Sequence, residues 1–169
     1  MSEDVIVNKI QQNTKLVTLD LQKFHDPRPI EELDIKQFLF QELLLKEKDF
    51  REELKNYDWS QFEGTNLAVH CSTDAIIAPW AWMLITSHAS EYANEVFKGS
   101  KETFLYLLYQ RNLDNYDWEQ YVDKFVLLKG CGDEHVPDSV YLLATNKLMG
   151  VAKKIMYGEA CSNVPVWRK

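Results

Sequence analysis

Three cysteines are the residues of this chain with the most distinctive chemistry. Cys71, Cys131 and Cys161 are its only cysteines, and their spacing matches no Cys-x-x-Cys signature. Three thiolates with an open fourth position suit a catalytic or labile Zn²⁺ ion, or an iron–sulfur cluster. The first hypothesis is therefore a metal-binding or iron–sulfur accessory protein in which these three sulfur atoms meet.

Carboxylate and imidazole groups close to the cysteines are candidates to complete such a site. Asp74 and Asp133 each follow a cysteine by a few residues, and His135 comes four residues after Cys131. Carboxylate oxygen and imidazole nitrogen are both common ligands of Zn²⁺. We therefore predict a metal site drawn from Cys71, Cys131, Cys161, Asp74, Asp133 and His135. The alternative for the two aspartates is that each caps the helix that follows it.

Two other functions fit the same residues. In a thiol-dependent enzyme, Cys71 or Cys131 is the nucleophile and His135 is the base. In a scaffold or dimerising protein without chemistry, the cysteines are ordinary packed side chains, since free cysteine is among the most buried residue types. The sequence leaves these alternatives open.

An internal repeat indicates how the chain is organised. Asn56–Trp59 recurs as Asn115–Trp118, an offset of 59 residues, and the same offset aligns further identical residues without a gap. We therefore predict a duplicated unit over residues 54–99 and 113–158. Each copy contains a short apolar run typical of a buried strand, followed by an apolar stripe at helical spacing. That stripe predicts a long amphipathic helix, which Gly99 or Gly158 ends.

The predicted strands place two cysteines where a site is expected. Cys71 ends the run Leu67–Cys71, and Cys131 follows the run Phe125–Leu128, with a helix next in both cases. Ligands of open α/β sheets gather outside the carboxyl ends of strands, and helix N-termini there favour the thiolate. Cys161 follows the second predicted helix, so its sulfur converges with the others only if the chain folds back.

The remaining segments complete an α/β fold. Leu16–Leu21 alternates apolar and polar residues as a half-buried strand does, Ile35–Leu54 predicts one bent helix or two, and Lys101–Asn112 predicts another helix. We expect a single domain over residues 1–169. Its two duplicated strand-loop-helix units are related by a pseudo-twofold, and an N-terminal strand and helices are added to them.

Composition limits the partners and the location. The chain has 169 residues, with 19 Lys and Arg against 26 Asp and Glu, a net charge of −7. This balance provides no basic surface for nucleic acid. The longest apolar run, Ala75–Ile85, is well short of the roughly 20 residues of a membrane span. With no secretory pattern at Met1–Asn8, we expect a cytoplasmic protein, and a homodimer is compatible with these features.

Several strings of residues resemble a bacterial family known as domain of unknown function 2480. The resemblance spans nearly the whole chain, and its strings are Leu45–Arg51, Asp58–Gln61, Lys129–Asp133, Ile155–Glu159 and Cys161–Ser162. It implies a protein of Bacteroidota-type bacteria with no assigned activity, so no catalytic residues follow from it. It also implies iron–sulfur assembly proteins as partners, which agrees with the thiolate hypothesis.

Overall fold

The computed structural model describes residues 15–169, and this part of the chain has the predicted α/β class. Its strands, in chain order, are β1 Leu16–Asp20, β2 Ile30–Asp34, β3 Asn66–His70, β4 Glu95–Lys98, β5 Phe125–Lys129, β6 Lys154–Glu159 and β7 Ser162–Arg168. Its α-helices are α1 Glu47–Asn56, α2 Pro79–Ala89, α3 Lys101–Asp114 and α4 Asp138–Met149. Short 3-10 helices lie between several of these elements.

The contacts of the chain divide it into two compact units. The central unit is Asp26–Leu107, and the terminal unit consists of the chain up to His25 together with Leu108–Lys169. Each unit has its own sheet: β2, β3 and β4 belong to the central unit, and β1, β5, β6 and β7 to the terminal unit. The single domain expected from the sequence stays a prediction.

The central unit is a parallel sheet in the order β2-β3-β4. The middle strand, β3, buries Leu67, Ala68 and Val69 almost completely, which explains its continuous apolar run. The core of this unit also contains side chains of both α1 and α2, among them Phe50, Leu54, Ala81, Ile85 and Ala89. The two helices therefore cover the sheet with apolar residues spaced four apart.

The terminal unit has the strand order β1-β5-β6-β7. The first three strands are parallel, and β7 pairs antiparallel with β6 after a tight hairpin turn. Strand β5 buries Val126, Leu127 and Leu128, and α4 buries Val140, Ala144 and Leu148. The four-residue spacing along α4 gives one apolar face towards the core.

The two units place equivalent elements at the offset of the sequence repeat. β3 and β5 begin 59 residues apart, as do α2 and α4, and β4 and β6. Trp59 Nε1 donates to Leu54 O over 2.8 Å, and Trp118 Nε1 donates to Leu113 O over 2.9 Å. Asp58 and Asp117 each accept a backbone N–H two residues ahead, as turn caps do. The duplication itself and its pseudo-twofold stay predictions.

The predicted long helices are shorter than expected. They end at Ala89 and Met149, and strands β4 and β6 follow after a turn. The predicted helices were too long because the last residues of the apolar stripe, such as Val96 and Ile155, belong to these strands. Gly99 and Gly158 therefore do not end helices: Gly99 follows β4, and Gly158 lies within β6.

The segment Ile35–Leu54 also differs from its prediction. Ile35–Phe38 is a 3-10 helix, and α1 begins only at Glu47. Between them Gln41 and Glu42 have φ values of 51° and 60°, a tight turn closed by a bridge between Phe40 and Leu44. The predicted strand at Leu16 and the helix at Lys101 are present as β1 and α3.

Candidate functional site

The three cysteines are free and lie in three different local settings. Cys71 is half-buried just after β3, with Sγ 3.3 Å from Thr73 Oγ1. Cys131 is exposed in the loop before α4, with Sγ 3.7 Å from the Tyr157 hydroxyl. Cys161 is exposed in the turn between β6 and β7. Packing in a core does not apply to the exposed Cys131 and Cys161, whereas Cys71 packs against the core of the central unit.

The metal-binding or iron–sulfur function predicted from the cysteines is wrong. Within residues 15–169, no group of three or more His, Cys, Asp or Glu side chains is arranged to hold a metal ion. The physical reason lies in the fold: Cys161 occupies a hairpin turn instead of a helix end, and the other predicted ligands Asp74, Asp133 and His135 are exposed loop residues.

The thiol-enzyme alternative also lacks its machinery. In the described part of the chain neither Cys71 nor Cys131 forms a hydrogen bond with a histidine. The proposed base, His135, is exposed, and its backbone oxygen accepts a hydrogen bond from the Tyr109 hydroxyl over 3.3 Å. A thiol without an adjacent base is not activated in this way.

Asp74 and Asp133 do not cap helices either. The residues at the N-caps of α2 and α4 are Ala78 and Pro137, and neither makes a side-chain cap hydrogen bond. The loops before these helices are longer than a capping geometry needs, since a cap residue stands immediately before the first helical turn.

Clefts are present in each unit at the end where the parallel strands finish. The terminal cleft has a volume of about 610 Å³ and is lined by Leu128, Asp138, Tyr141, Leu142, Thr145, Asn146, Tyr157 and Val166. The central cleft has a volume of about 430 Å³ and is lined by Val69, His70, Cys71, Thr73, Ala75, Ile77, Trp82, Lys98 and Gly99. Both volumes lie in the range of small-molecule sites.

The clefts have equivalent positions in their units. Three lining pairs are separated by 59 residues: Val69 and Leu128, Trp82 and Tyr141, and Lys98 and Tyr157. The first pair comes from β3 and β5, each the middle one of three parallel strands. The second pair comes from helices α2 and α4, and the third from strands β4 and β6. The edge of the sheet predicted to hold ligands is thus the edge that carries the clefts.

The walls of the terminal cleft are apolar and aromatic. Leu142 on α4 and Val166 on β7 are 66% and 53% exposed, far more than a side chain that only fills the core. The rings of Tyr141 and Tyr157 meet edge to face with centroids 5.7 Å apart. The strand β7 extends the sheet beyond β6, and Val166 provides one wall of the cleft.

The charge in the terminal cleft is negative. Asp138, in the first turn of α4, is the one charged side chain among its lining residues. Burial, and then electrostatic interaction with the neighbouring acidic groups, raise the pKa of Tyr141 to about 12. The hydrogen bond with Cys131, and then its charge, also raise the pKa of Tyr157. Both phenols therefore stay protonated near neutral pH, in a field that favours positive charge.

Several polar groups of the terminal cleft have no hydrogen-bond partner among residues 15–169. The Tyr141 hydroxyl, the Thr145 hydroxyl and the Asn146 amide form no hydrogen bond with any residue between 15 and 169. In the central unit, by contrast, Thr86 occupies the position equivalent to Thr145 and donates to Trp82 O over 2.9 Å. The terminal cleft thus keeps hydrogen-bonding capacity for a ligand.

Contacts of the loop between β5 and α4 fix the rim of the terminal cleft. A Cβ atom at Gly130 would lie 2.4 Å from the Tyr141 hydroxyl, so the absence of a side chain lets this phenol approach the backbone. Farther along the loop, Gln22 Nε2 donates to Glu134 O over 2.7 Å, and His25 Nε2 lies 3.4 Å from a Glu134 carboxylate oxygen.

Basic side chains line the central cleft. His70 and Lys98 lie at the carboxyl ends of β3 and β4, and no Asp or Glu is among the lining residues. Lys98 Nζ lies 5.1 Å from the centre of the Trp82 ring, within cation–π range. The Nδ1 atom of His70 is buried and has no hydrogen-bond partner within the described chain.

Asp34 lies next to this cleft, at the end of the neighbouring strand β2. Its Oδ1 atom accepts N–H groups of Lys36 and Ser72 over 3.1 and 3.2 Å. Burial acts to raise the pKa of Asp34, but hydrogen bonding by the Ser72 side chain, these two backbone N–H groups and the electrostatic effect of His70 outweigh it and hold the pKa below its ordinary value. The carboxylate is therefore ionised and already held by the protein.

Sequence reasoning missed the residues that define both clefts. Tyr141, Tyr157, Trp82 and Lys98 were not singled out, because single tyrosines, tryptophans and lysines are common on any protein surface. The repeat offset is the pattern that pairs them, since it aligns Trp82 with Tyr141 and Lys98 with Tyr157.

Comparison with known proteins gives a family and no function. The model of the family described as protein of unknown function (DUF2480) matches residues 4–169, so the chain belongs to this family. No curated protein and no solved structure matches the chain. Among the helices of the described residues, none has both the length and the apolar character needed to cross a membrane.

Proposed function

We propose that this member of the DUF2480 family is a binding protein whose terminal cleft takes a small organic cation with an apolar tail. The observation that supports the proposal most directly is that Asp138 is the one charged side chain lining a cleft of aromatic, aliphatic and uncharged polar groups. An ammonium group placed beside this carboxylate gains a charge-assisted hydrogen bond.

The aromatic residues favour the same ligand. The faces of Tyr141 and Tyr157 attract a cation through their ring quadrupoles, and their hydroxyl oxygens accept hydrogen bonds from an ammonium group. Because both phenols are protonated near neutral pH, they contribute no negative charge of their own.

The aliphatic residues of the terminal cleft favour a ligand with an apolar tail. Leu128, Leu142 and Val166 line the cleft, and the last two are more than half exposed, so an alkyl group in the cleft removes apolar surface from water. Thr145 and Asn146 add acceptors that no other described residue uses. The volume of the cleft, about 610 Å³, accommodates a small organic molecule of this kind.

Three probes of similar shape test the charge preference directly. Hexylammonium, 1-hexanol and hexanoate have similar alkyl chains and differ in charge. Isothermal titration measures the affinity of the protein for each probe and so ranks the three. We expect hexylammonium to bind most tightly and hexanoate most weakly. Backbone amide shifts in an NMR titration should then cluster at residues 138–146, which locates the bound probe.

A pair of matched variants assigns the preference to one carboxylate. Asp138→Asn should weaken hexylammonium binding about fivefold and leave 1-hexanol unchanged, since an exposed ion pair contributes about 1 kcal/mol. Asp133→Asn removes the same charge from an exposed loop residue outside the cleft and should have no such effect. Equal binding of the three probes, or equal losses in the two variants, contradicts the proposal.

Other properties expected from the sequence are not part of this proposal. A cytoplasmic location, homodimer formation, contact with iron–sulfur assembly proteins and a lack of nucleic-acid or membrane partners stay predictions from the sequence.

A further inference from the structure

We infer that Tyr116 is a nucleophilic tyrosine and that its hydroxyl oxygen accepts an acyl group from a small activated acyl donor. This inference does not rest on the function proposed for the terminal cleft, because Tyr116 is not among the residues that line it. It begins from the Tyr116 hydroxyl, which lies within hydrogen-bond distance of two other side chains of the terminal unit, those of Lys23 and Tyr121.

The first of these side chains brings a positive charge to the hydroxyl. Lys23 Nζ donates to the Tyr116 hydroxyl oxygen over 2.5 Å and lies 4.3 Å from the centre of the same ring. Phe24, the next residue of the 3-10 helix Leu21–Phe24, packs edge to face on Tyr116 with ring centroids 4.8 Å apart. This packing holds Lys23 close to the ring, and an ammonium group in this position favours the phenolate form of Tyr116.

Tyr121 is the second donor. Its hydroxyl lies 2.9 Å from that of Tyr116, and its side chain is buried. Burial, and then the hydrogen bond and the electrostatic interaction with Tyr116, raise the pKa of Tyr121. Tyr121 therefore keeps its proton when Tyr116 ionises, and its O–H group donates to the Tyr116 oxygen.

The two donors together determine the ionisation of Tyr116. Burial acts to raise its pKa, but hydrogen bonding by the side chains of Lys23, Tyr121 and Gln120 and the charge of Lys23 outweigh it and hold the pKa below the ordinary value of a tyrosine. A reagent can approach from solvent, since Tyr116 is only half-buried and Lys23 is exposed. A phenolate attacks an acyl carbon, whereas a neutral phenol is a weak nucleophile.

The central unit contains an equivalent tyrosine in a similar setting. Tyr57 precedes Tyr116 by the repeat offset of 59 residues, and both are half-buried. Phe38 packs edge to face on Tyr57 with ring centroids 5.0 Å apart, as Phe24 does on Tyr116. Phe24 and Phe38 each end a 3-10 helix that follows a strand. The two rings therefore have the same kind of neighbour, which makes Tyr57 an internal control for Tyr116.

Both donors of Tyr116 are replaced at Tyr57. The tyrosine donor corresponds, at the repeat offset, to Phe62, which has no hydroxyl. The lysine is the third residue of its 3-10 helix, and the third residue of the equivalent helix is Gln37, whose side chain donates to a backbone oxygen over 2.9 Å. Burial is the largest cause that raises the pKa of Tyr57. We therefore expect Tyr57 to react as an ordinary, neutral phenol.

The test uses N-acetylimidazole, which transfers an acetyl group to phenolic oxygen. The Tyr116 oxygen attacks the carbonyl carbon, the bond from that carbon to the imidazole nitrogen breaks, and imidazole leaves with the phenolic proton. Peptide mapping by mass spectrometry follows the rate at each of the eight tyrosines of the full chain. We expect Tyr116 to react at least about fivefold faster than Tyr57, and faster than Tyr92, although Tyr92 is 40% exposed. Rates that follow exposure alone overturn the inference.

Variants of Lys23 show whether its charge is responsible. Lys23→Met should slow the acetylation of Tyr116 about fivefold, and Lys23→Arg, which keeps the charge, should retain the rate. Lys48→Met removes the same charge from an exposed residue of α1 in the central unit and should leave the rate unchanged. An unchanged rate in Lys23→Met, or an equal loss in Lys48→Met, would overturn the inference.

Two further variants exchange the donors between the units. Gln37→Lys, at an exposed position, should raise the acetylation rate of Tyr57 about threefold. Tyr121→Phe gives the terminal unit the residue type of the central unit and should slow the acetylation of Tyr116 about threefold. If neither rate changes, the partners of the hydroxyls do not set the reactivity, and the inference fails.

Unfolding and reaction at the neighbouring amine have to be separated from loss of the nucleophile. Far-UV circular dichroism and the thermal midpoint of Lys23→Met should match those of the unaltered protein, because this side chain is exposed. Hydroxylamine removes an acetyl group from tyrosine but not from lysine, so a label that resists hydroxylamine and maps to Lys23 would overturn the inference. Binding of hexylammonium should persist in Tyr116→Phe if the function of the terminal cleft is correct, so the two proposals fail independently.

Discussion

The terminal and central clefts have the same position in their units and opposite charge. Both lie at the carboxyl ends of parallel strands, and equivalent lining residues are 59 positions apart. The charge differs at two positions: Lys98 of the central cleft corresponds to Tyr157, and Asp138 of the terminal cleft corresponds to Pro79, which does not line the central cleft. The backbone of each unit therefore fixes the position of its cleft, while one or two side chains set the charge of the lining.

The two clefts also differ in which polar groups are free. In the central unit, Thr86 and Thr73 donate to backbone oxygens, while His70 Nδ1 has no described partner. In the terminal unit the hydroxyls of Tyr141 and Thr145 are without described partners. The two clefts thus differ in which hydrogen-bonding groups have no described partner.

The largest expected effect concerns the repeated tryptophan that supports each unit. Trp59 is 5% exposed and stacks on His88, whereas Trp118 is only half-buried. Trp59→Ala should lower the free energy of unfolding by about 3–5 kcal/mol, and Trp118→Ala by clearly less, because the cavity left is smaller. Urea unfolding followed by circular dichroism measures both. Equal losses would contradict the difference in burial.

The next prediction concerns a change of charge in the terminal cleft. Tyr157→Lys gives the terminal cleft the residue found in the central cleft, and we expect hexylammonium affinity to fall at least about tenfold while hexanoate affinity rises. Isothermal titration measures both changes. Tyr92→Lys is the matched control, since Tyr92 is 40% exposed against 43% for Tyr157 and lies outside both clefts. Unchanged selectivity in Tyr157→Lys would show that this position does not set the sign.

A smaller effect on hexylammonium affinity is expected from a substitution at Gly130, which lies next to the Tyr141 hydroxyl. A Cβ atom in Gly130→Ala meets the Tyr141 hydroxyl, which sits at the end of a movable side chain, so the ring should shift with little change in stability. Hexylammonium affinity should fall about threefold, a loss of less than one ordinary hydrogen bond. Titration of the Tyr141→Phe/Gly130→Ala double variant checks the cause. If the hydroxyl contact is responsible, the glycine change has no further effect once that hydroxyl is gone.

The smallest effect concerns Asp34, beside the central cleft. Because its pKa in the folded state is below 3.8, its ionised form stabilises the fold above that pH, and this contribution disappears as the pH falls through the folded-state pKa. Asp34→Asn should therefore lose about 0.5 kcal/mol at pH 7, and the gap should close in strong acid. Urea unfolding at several pH values measures the gap. A gap that does not change with pH would contradict the role of ionisation.

The sequence predicted a strand or helix correctly where its apolar pattern was confined to that single element. The alternation at Leu16–Leu21 and the buried run at Phe125–Leu128 both became strands, and Lys101–Asn112 became α3. Strands β4 and β6 were missed because the apolar spacing of each helix continued through a turn into the next strand. Periodicity reports which residues face the core, and it does not report where the backbone changes its conformation.

The sheet edge at which the clefts lie was predictable from the sequence, but the residues that line them were not. Sequence reasoning located ligands at the carboxyl ends of the strands, but it relied on Cys71, Cys131 and Cys161, whose sulfur atoms do not form a metal site. Whether side chains distant in sequence converge depends on loop paths, such as the hairpin that holds Cys161. The residues that line the clefts are of common types, so the sequence does not single them out. Only the structure shows which of their polar groups lack a described hydrogen-bond partner.

Strand β7 has a practical consequence for work with this protein. Val166 on β7 provides a wall of the terminal cleft, although the three parallel strands of that sheet are paired without it. Proteolytic loss of β7 would therefore remove one wall of the terminal cleft, while the pairing of β1, β5 and β6 does not depend on this strand.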